Sequence, residues 1–421
     1  MSAPANTPVD TPKNLLRRAF DAVRAYAREN RGQTGAIAAA AGLMVTTSLT
    51  APVLATTAGA GALMAASFYL LAKTSDALVD SAAALGRKLN MSELLIGLGL
   101  GALTSLPELL VSWNAVRDGV PALGIGNIVG SNIANILLIL GATAAVKALP
   151  AAKGNAWKFN TAAMACATGL FALPLMYGAM PPVLGASMLG LSLAYVVGSY
   201  VFNKQDLKAA KTTAAKKQAL ETIEPHALPA PDSAEPGHPD AAPAWLNTVW
   251  GLAGLGGLMV SADMLVAGAS RFATGIGITE ALVGTLAVAI GTSLPELMVN
   301  IKSALKGKGE IGLGNVLGSN IFNILMVGGF IAKEGVNVPA NFIPQATPTG
   351  LLNFAAFTAS AGALAYTLFK NKGALTRKQG MIALGAYAAF VAASVMLDPG
   401  ASSAPPALQP SAISAPANPK L

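Results

Sequence analysis

Apolar residues along this chain come in long continuous runs and do not alternate with polar ones. Eleven runs, at about 34–55, 58–85, 91–116, 121–147, 158–178, 181–203, 245–270, 278–304, 311–332, 347–369 and 378–397, predict transmembrane helices. Each approaches or exceeds the roughly 20 residues that a helix needs to cross the hydrocarbon layer. A transmembrane β-barrel requires an alternating pattern and is excluded. The expected fold is an all-α polytopic membrane protein in a lipid bilayer. The runs divide the chain into a basic N-tail (1–33), an extra N-terminal span (34–57), five spans (58–203), a polar linker (204–243), five further spans (244–397) and a C-terminal tail (398–421). The linker and the tail are rich in Ala and Pro, a composition of disordered segments, although the linker's first part reads as helical.

Composition agrees with this picture. Of 421 residues, 53% are hydrophobic and 11% charged, against about 25% charged in soluble domains. The net charge of +8 does not call for a nucleic acid partner, because orientation accounts for it. With the N-terminus cytoplasmic and eleven spans, 23 of the 28 Lys and Arg face the cytoplasm. Arg117, Arg271, Lys333 and Lys420 face outward and Lys73 lies within a span, which follows the positive-inside rule. The expected location is the cell (inner) membrane, with the C-terminus outside. The first run is longer than a typical signal-peptide core and reads as a retained span, with a cleaved signal as the alternative because Ala-rich "APVLATTAGA" resembles a cleavage site. The lone Cys166 forms no internal disulfide and reads as a small buried side chain. His226 and His238 both lie in the linker and read as solvated.

The two halves repeat. "TSLPELLVSWNAVRDGVPALGIGNIVGSNIANILLILG" (104–141) aligns without gaps to "TSLPELMVNIKSALKGKGEIGLGNVLGSNIFNILMVGG" (292–329). This pairs Thr104 with Thr292, Glu108 with Glu296, Asn127 with Asn315, Ser131 with Ser319 and Asn135 with Asn323. Upstream, "SDALVDSAA" matches "ADMLVAGAS" and pairs Asp76 with Asp263. Five spans per repeat is an odd number, so the repeats enter the membrane from opposite sides, as in many secondary transporters.

The repeated motifs carry cation chemistry. Proline removes a backbone donor and breaks or kinks a helix. In "GTSLPE" the freed carbonyl belongs to Gly291, and the turn at Thr292 and Ser293 loosens with it. Carbonyls freed within a membrane must find partners, and a bound cation is one. Glu296 follows at once, as Glu108 follows Thr104 and Ser105 in the first repeat. These are hard oxygen ligands, suited to Ca2+ or Na+ and poorly suited to zinc or copper, and an intramembrane Glu usually marks an ion path. Asn127, Ser131 and Asn135 are spaced four apart on one helix face, as are Asn315, Ser319 and Asn323. Such a stripe offers neutral oxygens to an ion or hydrogen bonds to a facing helix; for Asn127 and Asn315 both roles stay open. Gly126/Gly130 and Gly314/Gly318 allow close helix contact. Asp76 and Asp263 read as secondary, with Asp76 expected to form a local ion pair beside Lys73 and Asp80.

Paired "TSLPE" and "GNxxGSNxxN" motifs in inverted five-helix repeats resemble the Ca2+:cation antiporter superfamily, especially prokaryotic sodium/calcium exchangers. The resemblance covers about 58–397 without the linker. It implies alternating access, in which a helix pair slides past a core of eight helices. It also implies a diamond of ion sites from Glu108, Glu296, Asn135 and Asn323. Thr104, Ser105, Thr292, Ser293, Ser131 and Ser319 fall at the family's carbonyl and hydroxyl ligand positions. The implied function is exchange of Ca2+ for Na+ or H+, with no enzymatic reaction and no cofactor. No nucleotide-binding G-x-x-x-x-G-K-[ST] is present, so no nucleotide partner is expected. A cation channel and an inactive or sensory homologue are the alternatives. Two departures stand out. Both Asn135 and Asn323 are neutral where the best-described prokaryotic members carry one Asp. The first repeat also has one residue fewer before its Thr, which rotates everything upstream by about 100°.

Overall fold

The computed structural model describes residues 27–45, 56–221, 242–276 and 293–397, together with Asp21, Arg24 and Ala25. Among them, nine helices are long and apolar enough to cross a membrane. Of the eleven expected spans, the first and the eighth run into residues outside that description. The first is represented by α1 (Arg31–Val45) and the eighth by its second half, α10 (Leu294–Leu305).

Two long helices, α2 (Thr57–Lys88) and α9 (Ala244–Gly275), pack along one another, and α1 lies against both. Small residues bring the backbones together: a Cβ added at Gly254 would lie 2.9 Å from the Leu78 nitrogen, and one at Gly268 3.0 Å from the Met64 nitrogen. This is how helices associate where lipid removes the hydrophobic drive.

The rest of the bundle surrounds a large apolar cluster that includes Ile125, Ile133, Phe171, Val316, Ile324 and Phe357. Its centre is a crossing between repeats. Helix α3 (Glu93–Thr104) presses against α11 (Gly309–Phe322). A Cβ added at Gly318 would lie 2.7 Å from the Leu98 carbonyl oxygen, and one at Gly101 2.7 Å from the Ser319 nitrogen. Only glycine lets these backbones meet.

The third span is interrupted. Helix α3 ends at Thr104 and α4 (Leu106–Arg117) restarts after one residue, Ser105, at φ −89° and ψ 7°. The fourth span is α5 (Pro121–Ala134) continued by a π-helical stretch, Asn135–Leu140, and α6 (Gly141–Val146). The ninth repeats this plan with α11, a π stretch over Asn323–Val327, and α12 (Gly328–Lys333). Both π stretches begin at the last Asn of the motif. Helices α7 (Ala156–Tyr177), α8 (Pro182–Glu221), α13 (Pro348–Lys370) and α14 (Arg377–Leu397) complete the bundle. A two-residue pairing of β1 (Ala179–Met180) with β2 (Val336–Asn337) ties one end. At the other end Leu149 bridges Leu375, and the Lys153 N–H donates to Glu310 Oε1 at 2.9 Å.

Two expectations are corrected. Cys166 is exposed on α7, because it lies on a side of the helix turned away from Met164 and Ala167, which join the apolar cluster. Asp76 does not pair with Lys73 on its own helix. It meets Lys302 Nζ at 3.1 Å and Lys306 Nζ at 3.0 Å from α10, while Lys73 lies over the Tyr69 ring.

Candidate functional site

The "TSLPE" motifs make half-helix starts. Pro107 stands in the first turn of α4 and Pro295 in that of α10, where the missing N–H has no helical acceptor to lose. Glu108 and Glu296 therefore occupy the first turn of each half-helix, at the positive end of its dipole. Ser293 has nearly the same backbone as Ser105, φ −94° and ψ 1°. Thr292 and Gly291 lie outside the described residues, as does the second repeat's counterpart of α3.

The repeats interlock at these points. Helix α4 packs against the π stretch that begins at Asn323, and α10 against the one that begins at Asn135. The two carboxylates lie within electrostatic reach of each other. Asn323 Nδ2 donates to Ser131 Oγ at 3.0 Å, Asn315 Nδ2 to Thr104 Oγ1 at 3.4 Å, and Ser319 Oγ to the Gly101 carbonyl at 3.2 Å. Each contact joins one repeat to the other. Glu108, Glu296, Asn135, Asn323, Thr104, Ser131 and Ser319 are thus brought to one locus, with Ser105 and Ser293 beside them in sequence.

Within this locus, polar atoms fall into two groups. One is committed to structure. Thr104 donates to the Leu100 carbonyl at 3.0 Å. Asn127 Nδ2 donates to the Glu108 carbonyl at 3.3 Å and to Ser112 Oγ at 2.9 Å. In the second repeat Asn300 Nδ2 donates to the Glu296 carbonyl at 2.8 Å and to Asn315 Oδ1 at 2.5 Å. Asn127 and Asn315 are therefore hydrogen-bonded to neighbouring helices.

The other group has no hydrogen-bond partner and, besides Asn132 Oδ1 and Asn300 Oδ1, comprises six residues' oxygens: Glu108 Oε2, Glu296 Oε1 and Oε2, Asn135 Oδ1, Asn323 Oδ1, Ser105 Oγ and Ser293 Oγ. All six residues are at most 2% exposed. A buried acceptor left without a donor costs roughly 1–3 kcal/mol, and more when it is charged. These atoms come in pairs related by the repeat and supply carboxylate, amide and hydroxyl oxygen. No group of three or more His, Cys, Asp or Glu occurs among the described residues. The donor set thus fits a hard cation better than a transition metal.

Sequence reasoning passed over Ser112, Asn300, Asn132, Asn320 and Met164. Asn132 and Asn320 are the Asn of each "GSN", so the repeat itself marked them; Ser112 and Asn300 also align with each other but differ in type. The structure does not bring the secondary pair to the site. Asp76 pairs with Lys302 and Lys306 from within α2, and Asp263 is exposed on α9.

A family model described as sodium/calcium exchanger protein matches residues 59–201 and 246–396. The putative antiporter CaxA of Alkalimonas amylolytica is 36% identical over 259 residues, which is 61% of this chain and 75% of that protein. The sodium/calcium exchanger MaX1 of Methanosarcina acetivorans is 28% identical over 337 residues, 76% of this chain and 94% of that one. The structure of the sodium-calcium exchanger NCX_Mj soaked with Na+ and Sr2+ superposes with a TM-score of 0.61 at 25% identity, covering 79% of this chain and 97% of that one.

Proposed function

The chain belongs to the sodium/calcium exchanger protein family, a family of multi-pass membrane transporters, and we propose that it exchanges Ca2+ for Na+ or H+ by alternating access. One observation carries this reading: the buried oxygens of Glu108, Glu296, Asn135, Asn323, Ser105 and Ser293 that lack protein partners. Each repeat contributes three of these six residues. In this reading Ca2+ binds between the two Glu carboxylates, with amide and hydroxyl oxygens completing its shell, and Thr104, Ser131 and Ser319 lie at the rim. The countercation uses the same oxygens in the return step. Two carboxylates supply a charge of −2 when ionised, which one Ca2+ or two monovalent cations neutralise. The ten spans of the two repeats form the transport unit, the N-terminus and the 204–243 linker are cytoplasmic, and the C-terminus is outside.

The test is uptake of radiolabelled Ca2+ into proteoliposomes under imposed Na+ or H+ gradients. The wild type takes up Ca2+ only with a counter-gradient. Glu108→Gln and Glu296→Gln keep the shape and remove the charge, so both abolish uptake while the protein still folds and inserts. Wild-type rates in both variants would move the ion site elsewhere. Uptake without any gradient would indicate a channel.

A further inference from the structure

An Asn side chain presents two opposite ends on one frame. Its carbonyl oxygen attracts a cation and its amino group repels one. A cation site that contains Asn needs something to choose between them. For Asn135 the choice is made across the repeat interface. Asn135 Nδ2 donates to Asn320 Oδ1 at 3.0 Å, and Asn320 Nδ2 reaches Met164 Sδ at 3.7 Å. A thioether sulfur only accepts. The amino end of Asn320 therefore faces Met164, and its oxygen faces Asn135. That oxygen in turn takes up the Asn135 amino group and leaves Asn135 Oδ1 without a protein partner. All three residues are buried.

The aligned position in the first repeat is wired differently. Asn132 Nδ2 turns back to the Ile128 carbonyl of its own helix at 2.7 Å, and Asn323 is held by Ser131 Oγ instead. Both terminal Asn residues leave Oδ1 without a partner, but the residue that holds each in that orientation differs between the repeats. We propose that Asn320 is a positioning residue for cation binding: anchored on Met164, it holds Asn135 with its carbonyl oxygen available to the cation, a role that Asn132 does not play for Asn323. The proposal rests on the ion-site reading given above.

The experiment measures the KM for Ca2+ and the maximal exchange rate in proteoliposomes. Asn320→Leu removes the acceptor at similar volume and raises KM about tenfold, the scale of one lost hydrogen bond to a buried polar group. Asn132→Leu leaves KM within about twofold, since its partner is its own helix. Met164→Leu conserves volume and raises KM about threefold by freeing the Asn320 amide, a weaker sulfur contact being lost. Asn135→Asp presents an oxygen whichever way it turns, so on that background Asn320→Leu and Met164→Leu no longer raise KM, which restores it to that of Asn135→Asp alone. A wild-type KM in Met164→Leu, equal effects of Asn320→Leu and Asn132→Leu, or no restoration by Asn135→Asp would each overturn the proposal. If Asn320→Leu does not fold, the Met164→Leu pair decides alone. Glu296→Gln in the same series separates the two levels. Its loss of exchange beside a wild-type KM in the positioning variants sinks the positioning role only. Its retention of exchange sinks the ion site, and the positioning role with it.

Discussion

Asn323 decides how much charge the site holds. With amides at both central positions, only Glu108 and Glu296 are acidic there, and exchange of one Ca2+ for two monovalent cations moves no net charge. Wild-type uptake is therefore expected to be the same with and without an imposed potential. Asn323→Asp makes room for a third monovalent cation, so one more positive charge leaves than enters during uptake. An inside-positive potential of about 100 mV is worth roughly 2.3 kcal/mol per charge moved, and it should accelerate uptake in this variant alone. A potential-sensitive wild type would refute the charge count. Residue types at the site were legible because carboxylates and amides are conspicuous in apolar runs. Their hydrogen-bond partners were not. Whether Asn135 meets Asn320 or Asn132 depends on the register between two repeats far apart in the chain, which no local pattern encodes.

The half-helices were legible at the scale of elements, because Pro107 and Pro295 follow polar residues within apolar runs. The π stretches at Asn135 and Asn323 were not, since α and π turns share composition and differ only in where packing inserts a residue. The α3–α11 crossing makes a sharper demand. Gly318 meets the Leu98 backbone on its Cβ side, and backbone cannot rotate away as a side chain can. Gly318→Leu is expected to destabilise the protein by about 1–3 kcal/mol or more, read as a lower melting temperature in detergent. Gly99, on the same helix as Leu98, has nothing within 4 Å of an added Cβ, so Gly99→Ala should be neutral or better. Equal losses in both would deny the crossing its tightness. A second inter-element bond joins α2 to α10: Lys306 Nζ lies 3.0 Å from Asp76 and 2.6 Å from Asp80, with Lys308 at 3.6 Å and Gln33 donating to Asp80. Lys306, Asp76 and Asp80 are partly exposed, so Lys306→Met should cost roughly 1 kcal/mol, the upper end for surface pairs. A double-mutant cycle with Asp80→Asn measures the coupling, and additive losses would reduce the cluster to a chance juxtaposition. From sequence, Lys73 was the nearest partner for Asp76; the bundle supplied better ones from the other repeat.

At the scale of the whole molecule, the loops sort into two sets. One end holds the Leu149–Leu375 bridge, the hydrogen bond from Lys153 to Glu310, that of Lys88 to the Ala242 carbonyl, and that of Lys147 to the Leu305 carbonyl at 3.2 Å. The far end of α7 leads into the β1–β2 pairing, where Gln345 also donates to the Met176 carbonyl at 2.5 Å. The first set carries the Lys- and Arg-rich loops and the second the poor ones, a division expected if the first faces the cytoplasm. If each repeat contributes five crossings, as proposed, the linker and the C-terminal tail lie on opposite sides. A reporter fused within 204–243 is then expected in the cytoplasm, and one fused after Pro399 outside. Alkaline phosphatase and green fluorescent protein fusions read the two sides independently, one active outside and the other fluorescent inside. Both fusions reporting the same side would mean that five crossings do not separate them. The inverted relation between the repeats would then fail, and with it the pairing of Glu108 against Glu296 on which the exchange mechanism depends.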